Sequence, residues 1–196
     1  MNINNKNHKQ PKQNGIWPAD KPLTGIKAII EDKDYERLIP KERFTSPEWL
    51  DKEYKLLWPR VWQWACREEE IPKVGDYLEY KIGDQSVVIV RDEDESLKAY
   101  HNVCMHRGTR LVEGEHWWGG RGTTRNFRDM YKGKLRCVFH GWAWDLDGEI
   151  SHLPGAKDFA PCRIQKCDIG LMPVRCETWE GFVYINMDMD AEPLLD

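Results

Sequence analysis

Two short runs stand out: Cys104-Met105-His106 and, thirty residues on, Cys137-Val138-Phe139-His140. Each places one thiol and one imidazole within a few residues. Together they offer two sulfur and two nitrogen ligands. That set suits a tetrahedral zinc ion or a two-iron cluster with cysteines on one iron and histidines on the other. The first would make the chain a zinc-stabilised binding module, the second an electron-transfer protein. Zinc sites usually pair like with like, Cys with Cys and His with His, whereas both runs here are mixed. Each run also reaches a glycine, Gly108 and Gly141. Glycine there allows backbone N–H groups to turn inward toward sulfur.

The chain that must hold these runs has 196 residues, 40% hydrophobic and 32% charged, with a net charge of −4. A packed core is feasible, and neither nucleic acid nor membrane is the default partner. No 18-residue apolar run is present, so no transmembrane helix is expected. The start, rich in Asn, Lys and Gln, has no export signal, so a cytoplasmic location and reduced or metal-bound thiols are expected for the six cysteines. Ten tryptophans, clustered at 58–64, 117–118 and 142–144, point to aromatic packing near the ligand runs.

Residues 1–44 read as a polar N-terminal extension. Thr45-Ser46-Pro47-Glu48 predicts a helix start. Trp49, Leu50, Tyr54, Leu57, Trp58 and Val61 follow at helical spacing, giving a helix over 45–60 that Pro59 ends or bends. Strand patterns follow: 77–82, a Gly83-Asp84 turn, the apolar run 87–90, a turn over 92–96 and 97–101. A hairpin is expected around 145–148, flanked by 142–144 and 149–150, and a last strand at 182–185. The fold class is mainly β, built of short antiparallel strands in small stacked sheets, with an N-terminal helix and a polar arm.

The spacing Cys-x-His, spacer, Cys-x2-His resembles the Rieske [2Fe–2S] family. The flanks resemble the N-terminal part of ring-hydroxylating dioxygenase large (alpha) subunits. The residues that carry this second likeness are Trp58-Pro59-Arg60-Val61-Trp62, Glu69 to Tyr77, Ala99 to Gly108 and Gly181 to Met187. The resemblance implies Cys104 and Cys137 on the inner iron, and His106 and His140 on the outer iron. It implies a Rieske domain over 61–190 with an insertion at 113–134, and the start of a linker at 191–196. High-potential members carry an extra cysteine in each loop and a serine after the second His-Gly; Thr109, Phe139 and Trp142 stand there instead, which predicts the low-potential class. The expected partners are a reductase or ferredoxin donor and an oxygenase catalytic domain or subunit, with a homotrimer implied by family. A mononuclear Fe(II) is expected only in that further domain, because His8, His101, His116 and His152 form no two-His, one-carboxylate set with an acid. On this reading the chain alone lacks oxygenase activity and has no catalytic residues of its own. A stand-alone Rieske carrier is the alternative.

The spacer is about twice as long as the resemblance implies. Its excess, rich in Gly and Arg, reads as a solvated surface insertion, or as a basic loop that guides an acidic donor. Cys66 is expected in the core, and Cys162, Cys167 and Cys176 as free thiols. Trp142 and Trp144 are expected to shield the cluster, Arg107 and Arg110 to pair with acids, and His152 to sit in a surface loop.

Overall fold

The structure, a computed structural model, describes residues 39–113, 121–123, 132–159 and 166–195. Expectations for His8, His116, Cys162 and most of the insertion lie outside them. The chain divides into two units, one ending at Thr45 and one beginning at Ser46. The described end of the first holds a single helical turn, α1 (Glu42–Thr45).

The second unit opens as its residues dictate. Ser46 is extended, and its Oγ accepts the Trp49 N–H at 3.4 Å, so α2 (Pro47–Lys52) starts with a cap and a proline in its first turn. The expected single helix over 45–60 is instead three segments. After α2 comes a π-turn over Glu53–Leu57, then a 3-10 turn over Trp58–Arg60. Pro59 has no N–H to give and its ring crowds the carbonyl one turn back, so the regular ladder gives way before it. No residue of these segments is fully buried. Tyr54 docks them on the sheet. Its ring covers Gly83, where an added Cβ would lie 2.7–3.0 Å from ring carbons and φ is +59°.

Ten strands follow among the described residues, all paired antiparallel. They are β1 (Gln63–Arg67), β2 (Asp76–Ile82), β3 (Gln85–Arg91), β4 (Leu97–His101), β5 (Arg121–Thr123), β6 (Leu135–Arg136), β7 (Ala143–Trp144), β8 (Ile150–His152), β9 (Pro173–Trp179) and β10 (Phe182–Asn186). A one-turn helix, α3 (Ala156–Phe159), lies between β8 and β9. Seven strands form one sheet in the order β1-β10-β9-β4-β3-β2-β5, and three form a second in the order β6-β7-β8. The fold is mainly β, as the sequence predicts.

The apolar run of β3 does not alternate because both of its faces are covered. Val88 and Val90 join a core with Tyr100, Leu135, Trp142, Trp144 and Leu146. Val87 and Ile89 join the other core, with Cys66, Ile71, Ala99, Val174, Val183 and Ile185. Tyr100 donates to the Leu146 carbonyl at 3.0 Å and Trp144 Nε1 to that of Ile169 at 2.8 Å, tying the second sheet's turns to the first core. Residues 191–194 lie along β9: Trp62 Nε1 donates to Glu192 O at 3.0 Å, Arg175 to Ala191 O, and Leu194 N–H to Glu177 Oε2 at 2.9 Å.

Two further expectations need correction. His152 is not a surface loop residue: it is half-buried in β8, opposite Ala143, because the hairpin runs two residues further than its turn signal shows. The insertion is not wholly a solvated loop, since Arg121–Thr123 adds β5 to the edge of the large sheet, with Gly122 opposite Tyr77. An added Cβ at Gly122 would strike the Tyr77 ring, so the glycine admits the ring.

Candidate metal centre

Both ligand runs are built on one backbone frame. In the first, Cys104 N–H donates to Thr109 O at 2.8 Å and Gly108 N–H to Cys104 O at 2.9 Å. In the second, Cys137 N–H donates to Trp142 O at 2.8 Å and Gly141 N–H to Cys137 O at 3.1 Å. Counting the cysteine as position i, each frame bonds i to i+5 and i+4 back to i. Gly108 and Gly141 hold φ of +74° and +78°, the left-handed region that such a return needs. The histidine alone differs in place, at i+2 in the first loop and i+3 in the second.

The frames bring all four predicted residues together. Cys104 and Cys137 are buried, 3% and 1% exposed, and their thiols are neighbours. Burial pushes the Cys104 thiol upward, while the backbone N–H groups of His106 and Arg107, aimed at its sulfur, pull the other way. The imidazoles of His106 and His140 meet edge to face, centroids 4.8 Å apart at 65°. Trp142 stacks on His106 at 4.8 Å and 5°. Phe139, exposed, leans on His140 at 4.1 Å. His106 Nδ1 is buried and has no hydrogen-bond partner among the described residues. Desolvation first, then His140 and Arg107, lowers the His106 pKa.

A buried imidazole nitrogen without a partner is costly unless it binds something. Two adjacent thiols and two adjacent imidazoles could hold a group with a sulfur-preferring end and a nitrogen-preferring end. Among the described residues no three His, Cys, Asp or Glu side chains converge as a single-ion site requires. A pair of thiols and a pair of imidazoles is the donor set of a two-iron cluster with cysteines on one iron and histidines on the other.

The other candidates lie apart. Cys66, buried on β1, and Cys176, half-buried on β9, flank β10, and burial pushes each thiol up to about 12. Cys167 is exposed, is in no disulfide with a described cysteine, and its Sγ donates to Asp168 Oδ1 at 3.9 Å. Arg107 and Arg110 form no ion pair with a carboxylate among the described residues. Sequence reasoning missed Asn102, whose role emerges only from its contacts.

The family described as "Rieske [2Fe-2S] domain" matches residues 61–168, and the chain belongs to it. That family's cofactor is the [2Fe–2S] cluster. Its relatives are large oxygenase subunits, matched over their N-terminal part. The chain is 32% identical over 158 residues to the carnitine monooxygenase oxygenase subunit of Escherichia coli (strain K12), covering 81% of this chain and 38% of the relative. It is 34% identical over 150 residues to the large oxygenase component of the naphthalene 1,2-dioxygenase system of Pseudomonas putida, covering 76% and 30%. Among solved structures, the quaternary ammonium Rieske monooxygenase CntA in complex with L-carnitine superposes with a TM-score of 0.67 at 28% identity, over 79% of this chain and 40% of that one. Naphthalene 1,2-dioxygenase with indole bound gives 0.63 at 32% identity, over 75% and 30%. The chain thus spans two fifths or less of the relatives named here. No helix among the described residues is long and apolar enough to cross a membrane.

Proposed function

We propose that Cys104, His106, Cys137 and His140 ligate a [2Fe–2S] cluster, the cysteines on one iron and the histidines on the other, and that the protein moves single electrons as the Rieske part of a ring-hydroxylating oxygenase. The twin backbone frames support this reading, since they set the two thiols beside each other and the two imidazoles beside each other. When bound, the cluster supplies one-electron storage at a potential between about −150 and +300 mV. The chain's own residues do the rest. The loop backbones donate toward sulfur, Trp142 covers one face of His106 and keeps water from it, and the exposed His140 meets the partner. No extra cysteine or serine augments the loops, which favours the lower end of that window.

The working unit on this reading comprises the domain over 61–190, with its insertion at 113–134, and a linker beginning at 191–196. It receives electrons from a reductase or ferredoxin in the cytoplasm and passes them to a mononuclear iron in an oxygenase catalytic domain, in a homotrimer. The test is iron and acid-labile sulfide analysis with EPR of the dithionite-reduced protein. The expected result is two irons and two sulfides per chain with a Rieske-type spectrum, lost in Cys104→Ser and His140→Ala. A colourless zinc protein, or either variant retaining full iron and sulfide, overturns the assignment.

A further inference from the structure

The two loops share a frame but not a foundation. The second is closed below by a strand pair, β6 and β7, in which Arg136 faces Ala143. The first leaves β4 at His101 and returns through Leu111 and Val112, which form no strand. One side chain stands where that second strand would be. Asn102 Oδ1 accepts the N–H groups of Leu111 at 3.0 Å and Val112 at 3.1 Å, and its Nδ2 donates to Val112 O at 2.7 Å. Asn102 is itself fixed from beneath. Its Nδ2 reaches Ser86 Oγ at 3.0 Å and Glu79 Oε1 at 3.2 Å, and Ser86 Oγ donates to Glu79 Oε1 at 2.7 Å. Its backbone N–H donates to Ser86 O at 2.9 Å. Asn102 is 3% exposed and Glu79 1%.

A carboxylate that deep is costly unless several donors satisfy it. Here Ser86, Asn102 and Lys81, the last at 3.2 Å, do so. Glu79 lies on β2, on the face it shares with Tyr77 and Lys81 and opposite that of Leu78, Tyr80 and Ile82, and it is buried all the same. Its expense is explained if it sets the position of something other than the core.

We propose that Asn102, oriented by Glu79 and Ser86, is a positioning residue for the ligand set: it closes the first loop in place of a strand and so fixes where Cys104 and His106 stand relative to Cys137 and His140. The inference rests on the ligand reading above. Outer residues that orient ligands typically alter metal affinity about 10–100-fold when removed. The variants are Asn102→Leu, which keeps volume and drops every side-chain bond, and Ser86→Ala, which removes only one supporting hydroxyl and keeps the fold if the first variant does not. Each is expressed as the full chain. Three quantities are followed: cluster loss to a chelator, g values of the reduced protein, and the unfolding rate in urea without chelator. Expected are cluster loss about ten times faster in Asn102→Leu, a smaller acceleration in Ser86→Ala, and displaced g values in both, at cluster-loss rates exceeding global unfolding. Unchanged g values with cluster loss that only tracks unfolding overturn the proposal and leave Asn102 a packing residue. Should Asn102→Leu not fold, Ser86→Ala decides by the same criteria. Wild-type protein without iron and sulfide would instead defeat the ligand reading itself, a separate outcome.

Discussion

At the scale of single residues, the ligand region is a study in groups kept from water. His101, at the end of β4, is half-buried, and burial lowers its pKa below the ordinary 6.5. A depressed histidine pKa means that the unfolded chain binds the proton more readily than the folded one. Stability is then intact above the unfolded value and falls as pH drops below about 6.5. The urea midpoint should therefore decline between pH 7.5 and pH 5.5, and His101→Gln should lessen that decline. A variant with the same pH slope as wild type would show that His101 does not contribute to it. The four ligand candidates were legible because their chemistry is written in residue type and spacing. Asn102 was not, because an asparagine ahead of a loop has no signature until its amide is seen bridging Leu111 and Val112.

At the scale of elements, legibility followed periodicity and turn chemistry. The strands from β2 to β4, the β7–β8 hairpin and β10 could be read from apolar runs and from Gly83-Asp84 and Asp147-Gly148. β1 and β9 could not. Val174-Arg175-Cys176-Glu177-Thr178 mixes charge into its alternation because only one residue of β9, Val174, is fully buried, and Trp64 on the edge strand β1 and Trp179 at the end of β9 stay exposed. β5 is hidden among glycines and exists through its pairing with β2. The turn at Gly148 offers a direct check. Its φ is +88°, and an added Cβ would stand 2.5 and 2.9 Å from carbons of the Tyr100 ring. Gly148→Ala should cost about 1–3 kcal/mol from strain and overpacking together, measured by urea unfolding. An unchanged midpoint would mean that the Tyr100 ring shifts without loss of its bond to Leu146.

At the scale of the molecule, β3 divides the interior in two. One core contains Cys104, Cys137, Trp142 and Trp144; the other, with Ile71, Ile89, Val174, Val183 and Ile185, contains no ligand-loop residue. Loss of bound iron should therefore be felt unequally. After chelation, hydrogen exchange should accelerate at the amides of Cys104, Gly108, Cys137 and Gly141, while those of Ile89, Val183 and Ile185 stay protected. Uniform deprotection would show that the two cores unfold as one. This division was out of reach of the sequence, because Val87 to Val90 reads as one apolar run and says nothing of what covers each side.

The twin loop frame has a consequence for variation. It is drawn with backbone groups, so in the second loop it leaves the side chains of Val138 and Phe139 open. Val138 and Phe139 are 74% and 61% exposed. Substitutions there should accumulate freely in a mutational library selected for cofactor content, and be filtered only when selection demands a particular redox partner. The outer rim of the second loop is thus the part of this protein that can acquire a new acquaintance without relearning how to fold.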